Sequence, residues 1–247
     1  MIFYFSLLYS IILTFNVLIS SEIHKSFQLS DSLYNEGYYK ESFLQIKKIY
    51  NQNNNNVNVV FRMARSIFLK AMTEKDENKK IKFYYDGFEY AKKALELDDN
   101  NGYVNFWYAA YLGRIGEIEG PKQAILNSYE VKKYGMKAIE LSPEFDSPYH
   151  MMGRWHYELA NLNQLERLVA SIVYETLPKG SYDEAIDLFN HAIKINPTEI
   201  RHHFWLAKTY YTIGEFGLSR KQFKIVLSLK AKDSDDFIMQ SESEKYL

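Results

Sequence analysis

The chain has 247 residues, enough for one substantial core or a short solenoid. It has no cysteine, which excludes disulfide frameworks, thiolate metal sites and cysteine nucleophiles. Its 30 Lys and Arg against 31 Asp and Glu leave no global charge to attract nucleic acid.

Residues Ile2 to Ile19 are uncharged and almost wholly apolar. Residues 1–20 therefore read as a secretory signal cut near Ser20 or Ser21, or as a retained membrane anchor, although no Lys or Arg precedes the run. The one Asn-X-Thr, Asn196-Pro197-Thr198, is blocked by its proline. With the absent cysteines, this pattern predicts a bacterial export route. The protein is expected to be periplasmic or secreted if the segment is cleaved, and membrane-anchored if it stays.

Residues 21–56 read as a divergent helical hairpin and an Asn-rich loop. Phe27, Leu29 and Leu33 mark one helix, Phe43, Leu44, Ile46 and Ile49 the next, with Gly37 at the turn and Asn51 to Asn56 as a solvated loop. Helices are predicted over Val57–Met72 and Ile81–Leu97, joined by a charged connection, Thr73–Lys80. Ser147-Pro148 reads as a capped helix start, and Ser181-Tyr182-Asp183-Glu184 as a capping box ahead of Ala185, Leu188, Phe189 and Ala192. Asn196-Pro197 stops that helix; the next runs from Thr198 to Ile213, Gly214 breaks it, and a last one covers Phe216–Leu229.

The helix ends share a phrase. Ala94, Ala138 and Ala192 each sit between a polar and an aliphatic residue just before a breaker pair, 44 and 54 positions apart, and Val226 fills the same slot 34 further on. A helical hairpin repeating about every 34 residues is the tetratricopeptide period; the longer intervals are that period plus insertions of about 10 and about 20 residues. These insertions fall at Glu117–Asn127 and Asn161–Lys179. The 21 tyrosines, with only 11 glycines and 5 prolines, suit helix crossings filled by rings. The predicted architecture is all-α: a right-handed α-solenoid of about four tetratricopeptide-like hairpins over 57–232, with insertions in the middle repeats and a polar acidic tail at 233–247.

Several phrases resemble one branch of such repeats. They are Phe61-Arg62-Met63-Ala64-Arg65, Gly135 through Pro143, Gly153-Arg154-Trp155, the amphipathic insert Leu162–Tyr174 with Leu177-Pro178, and Leu206-Ala207-Lys208 followed by Gly214. In this order, over Val57 to Asp233, they resemble the regulator of microtubule dynamics family, whose members carry "W-R-x-A-R", "G-R-W" and "Y-L-A-K" phrases. The resemblance implies a non-catalytic helical repeat domain. Some relatives associate with microtubules, and another binds phospholipid through its repeats.

The inner groove of such an array is lined by the first helix of each pair. Aligning Met63, Met152 and Leu206 puts Arg65, Arg154 and Lys208 in one slot, Phe61, His150 and Phe204 a turn earlier, and Tyr157 and Tyr211 three residues later. Cations and aromatics on one wall would suit an acidic protein or peptide, or an anionic phospholipid headgroup. The plainer reading has Arg65 and Arg154 bridging neighbouring helices through carboxylates such as Glu158. No cofactor or metal is expected: His150 and His156 lie six apart, off a common helix face, and His202 and His203 point different ways. Gly113 to Gly120 lacks the Gly-Lys-Ser/Thr of a phosphate loop. The sequence thus predicts an exported scaffold holding a polypeptide in its groove, with a lipid-binding or lipid-transfer module as the alternative.

Overall fold

The computed structural model describes residues 23–164, 167–168 and 178–247, and every regular element among them is a helix. In chain order these are α1 (residues 23–35), α2 (Tyr39–Tyr50), α3 (Val57–Thr73), α4 (Glu77–Leu97), α5 (Gly102–Glu119), α6 (Pro121–Leu141), α7 (Asp146–Asn161), α8 (Tyr182–Ile195), α9 (Ile200–Thr212), α10 (Phe216–Ser228) and α11 (Ser234–Ser243). A short 3-10 turn, Glu244–Tyr246, follows α11.

The starts of several helices are fixed by side chains that accept the free N–H groups of a first turn. Asn56 accepts from Asn58, Asp76 from Lys79, Asn101 from Tyr103 and Val104, Ser181 from Glu184, and Asp233 from Asp236. The Asn-rich loop thus ends in a cap. Helix α7 departs from the sequence reading: it begins at Asp146 without a side-chain cap, and the Ser147 hydroxyl instead accepts from Arg201, 2.8 Å away.

Among the described residues, consecutive helices pair into five stacked hairpins, α1 with α2 through α9 with α10, and α11 lies against the last. The recurring slot in the sequence is the packing slot: Ala94, Ala138, Ala192 and Val226 are all fully buried. Rings fill the space beside these small residues. Tyr111 lies between α3 and α4, edge-on to Phe68 at 5.1 Å, and its hydroxyl donates to the Ala64 carbonyl at 2.6 Å. Gly153 lets α7 approach α8 closely; a Cβ there would lie 2.7 Å from the Phe189 ring.

The extra residues near Gly120-Pro121 do not leave the array. They lengthen α5 and α6, which meet at Gly120 in a left-handed conformation (φ +99°) that only a residue without Cβ takes cheaply. Of the second insertion, Asn161–Lys179, most lies outside the described residues. Arg167 is tied to the carbonyls of Leu159, Ala160 and Leu162.

The first helices α3, α5, α7 and α9 touch one another in succession, whereas contacts among the second helices are slighter. The stack therefore curves with the first helices inside, leaving a trough. Residues 233–247, which read as an acidic tail, contain α11 and close the last hairpin: Gln240 donates to the carbonyls of Val226 and Leu229, and Tyr246 stacks on Phe223 at 4.6 Å. The first hairpin also reaches the last. Tyr39 donates to the Asp233 carboxylate at 2.7 Å, and Gly37 (φ +85°) lies so near the Lys232 carbonyl that a Cβ would come within 2.9 Å.

Candidate functional site

The eight residues that the sequence places on the groove separate into three environments. Arg65 is only 7% exposed, because α1 covers it. Its guanidinium pairs with Asp31 at 2.7 Å, donates to the Ser30 hydroxyl at 3.1 Å and lies over the Tyr34 ring at 4.4 Å. Arg62 shares Asp31 at 2.6 Å. Burial works to raise the Asp31 pKa, but the two guanidinium groups hold it below the ordinary carboxylate value. Phe61 is buried against Tyr103 at 5.7 Å. The slot around Arg65 is thus filled by the chain's own first helix.

His150 is buried between α7 and α9. Its Nδ1 lies 3.1 Å from Nδ1 of His202, whose Nε2 lies 2.8 Å from the Asp146 carboxylate. Burial alone would raise the Asp146 pKa, yet the His202 hydrogen bond and the Arg201 charge take it well below the usual range. An ionised Asp146 accepts from His202 Nε2–H, which leaves His202 Nδ1 as acceptor and makes His150 Nδ1–H the donor. Burial lowers the pKa of each ring, which favours this neutral pair of tautomers. The sequence reading missed this relay because it tested histidines for a shared helix face; these two meet across helices.

The third environment is open. On α7 and α9, Arg154 lies over the Trp205 ring at 4.2 Å and Lys208 approaches the same ring at 5.4 Å. Tyr157 packs edge-on to Trp205 at 5.5 Å, and its hydroxyl is 3.2 Å from that of Thr212. Glu158 sits 3.4 Å from Arg154, and Glu242 of α11 sits 3.2 Å from Lys208. Both cations keep solvent access, at 37% and 27% of their side chains, and Arg154 Nε is buried with no hydrogen-bond acceptor. Phe204 faces inward on Phe223, whereas Tyr211 is half exposed beside Phe216 and Tyr246. Trp205, the ring that both cations approach, was not singled out in the sequence; its position directly before Leu206 in the aligned phrase was the available signal.

The model of the family described as "Regulator of microtubule dynamics protein 1-3" matches residues 26–247. Among similar proteins, regulator of microtubule dynamics protein 1 of Bos taurus is 30% identical over 92% of this chain and 71% of its own length. The Homo sapiens protein of that name is 31% identical over 75% of this chain and 59% of its own. Protein 3 of Xenopus laevis is 32% identical over 72% of this chain and 38% of its own. In solved structures, the same fold occurs in a tetratricopeptide-repeat protein of Thermus thermophilus (TM-score 0.62, 13% identity, 90% of this chain and 98% of that one). It also occurs in PilF of Pseudomonas aeruginosa (TM-score 0.53, 14% identity, 92% and 84%).

These relatives overturn the expectation of export, whether cleaved or anchored, because they are animal proteins named for the regulation of microtubules. That expectation rested on an apolar run without the basic start that a signal segment carries, and residues 1–20 lie outside the described residues. No helix among the described residues is long and apolar enough to cross a membrane. By its match over nearly the whole described length, the chain belongs to the regulator of microtubule dynamics family.

Proposed function

We propose that this chain is a non-catalytic helical-repeat scaffold that holds a polypeptide in the C-terminal half of its trough. The observation that carries the reading is that Arg154 and Lys208, both open to solvent, approach the same Trp205 ring. A flat indole with two accessible cations beside it suits a segment that brings a carboxylate and a planar or apolar group together. Such a carboxylate would take over from Glu158 or Glu242, which hold the cations at the surface, where ion pairs are weak. The first hairpin serves differently in this proposal: α1 covers Arg65, and the turn after it reaches the last hairpin at Lys232. The Asp146–His202–His150 relay is read as structural, because it is buried between two helices.

The names of the relatives make microtubules the first partner to test. Co-sedimentation with polymerised tubulin should retain the wild-type chain, and Arg154→Glu with Lys208→Glu should weaken retention about tenfold, the equivalent of about 1.4 kcal/mol. Equal retention of the double variant would remove the trough from the interaction. No retention of the wild type would remove microtubules as the partner.

A further inference from the structure

The outer face of the last hairpin carries a second surface. Helix α10 has three cations, Arg220, Lys221 and Lys224, and no acidic residue. Elsewhere the surface cations are often matched within their own helix, as Lys82 is with Asp86, Lys92 with Glu89 and Lys133 with Glu130. Among the described residues, none of the three cations of α10 makes an ion pair. Gly217, Lys221, Lys224 and Ser228 recur at three- and four-residue spacing, opposite the buried Ser219, Phe223 and Val226. With Arg220 and Ile225 they form one open, solvent-facing strip of the helix. Nothing stands within 4 Å of where a Gly217 Cβ would be, so the strip is uncovered out to the first turn of the helix. Along one flank Leu218, 45% exposed, and Ile225 lie two turns apart and form an apolar edge.

We propose that this face of α10 docks an acidic peptide segment carrying an apolar side chain, laid extended along the helix. From Gly217 to Ser228 the helix rises about 16 Å, the length of about five extended residues. Alternate side chains of an extended segment recur about every 7 Å, near enough to one helical turn for two carboxylates to meet Lys221 and Lys224. The other side chains of the segment then fall toward Leu218 and Ile225. Cations one turn apart repel each other until a counter-charge arrives, which is where the binding energy lies. A strip one helix face wide fits a single chain better than the flat array of a lipid surface. The strip shares no residue with the Arg154–Trp205–Lys208 wall and lies on a different helix, so the two surfaces can be tested separately.

The test uses a fluorescein-labelled octapeptide of six glutamates and two leucines, its glutamine counterpart, and vesicles of phosphatidylcholine with phosphatidylserine. The acidic peptide should bind the wild-type chain, and binding should fall several-fold from low to physiological salt, where the screening length is about 8 Å. Arg220→Gln, Lys221→Gln and Lys224→Gln together should weaken it at least tenfold while the helical circular dichroism is unchanged. Arg154→Gln with Lys208→Gln should leave it as it was. Equal affinity for the glutamine peptide, an undiminished triple variant, loss in the trough variant instead, or binding to the vesicles alone would each overturn the proposal. So would the absence of any peptide binding.

Discussion

At the scale of single residues, the buried histidines make stability depend on pH in a definite direction. His150 and His202 both have lowered pKa values in the folded chain, chiefly through burial, while an exposed histidine titrates near 6.5. The folded state therefore resists protons that the unfolded state accepts, so stability is full above about pH 6.5 and is lost as the pH falls below it. Protonating His202 Nδ1 would also set two N–H donors against each other across 3.1 Å. The thermal midpoint should fall between pH 7 and pH 5. His150→Phe, which keeps a flat ring near Phe189 but takes up no proton, should start lower and show a shallower fall. An unchanged slope in that variant would mean that His150 does not carry the dependence.

At the scale of helices, hairpin stacking depends on close approaches that glycine permits. Replacing Gly153 by alanine gains up to about 1 kcal/mol of helix preference but drives a methyl group into the Phe189 ring, and overpacking of that kind costs about 1–3 kcal/mol. Gly153→Ala should therefore destabilise the chain in urea melts, and the same change on a Phe189→Leu background should be neutral or stabilising. Additive losses in the double variant would mean that the contact is not the cause. This is also the scale at which the sequence could be read. Ala94, Ala138, Ala192 and Val226 announce the array because each is the small or fitted residue at a crossing, and a crossing repeats with the hairpin. The groove residues were legible only as a slot. The spacing placed Arg65, Arg154 and Lys208 on equivalent turns, yet whether such a slot stays open depends on what lies across it. Asp31 and Tyr34 reach Arg65 from a helix some thirty positions earlier, in a hairpin with little repeat signature. The pairing of His150 with His202 was hidden in the same way.

At the scale of the whole molecule, the two ends of the array are joined, which a linear stack of hairpins does not require. In an open solenoid each repeat leans only on its neighbours, so the end units open first and independently. Here the turn after α1 sits on the Lys232 carbonyl, Tyr39 donates to Asp233, and Lys232 reaches Glu199 at the start of α9, 3.2 Å away. Burial, and then the bond to Asp233, raises the Tyr39 pKa, so the phenol keeps its proton as donor at ordinary pH. Tyr39→Phe removes one partly buried hydrogen bond to a carboxylate, worth about 1–2 kcal/mol, without changing the ring. If the closure couples the ends, that change should speed amide exchange in residues 23–35 and in Ser234–Ser243 together. The paired helices α5 and α6 should keep their protection. Faster exchange confined to α1 and α2 would show that the contact only tethers the first hairpin, and that the last hairpin is held by Tyr246 on Phe223 and by Gln240 without help from the other end.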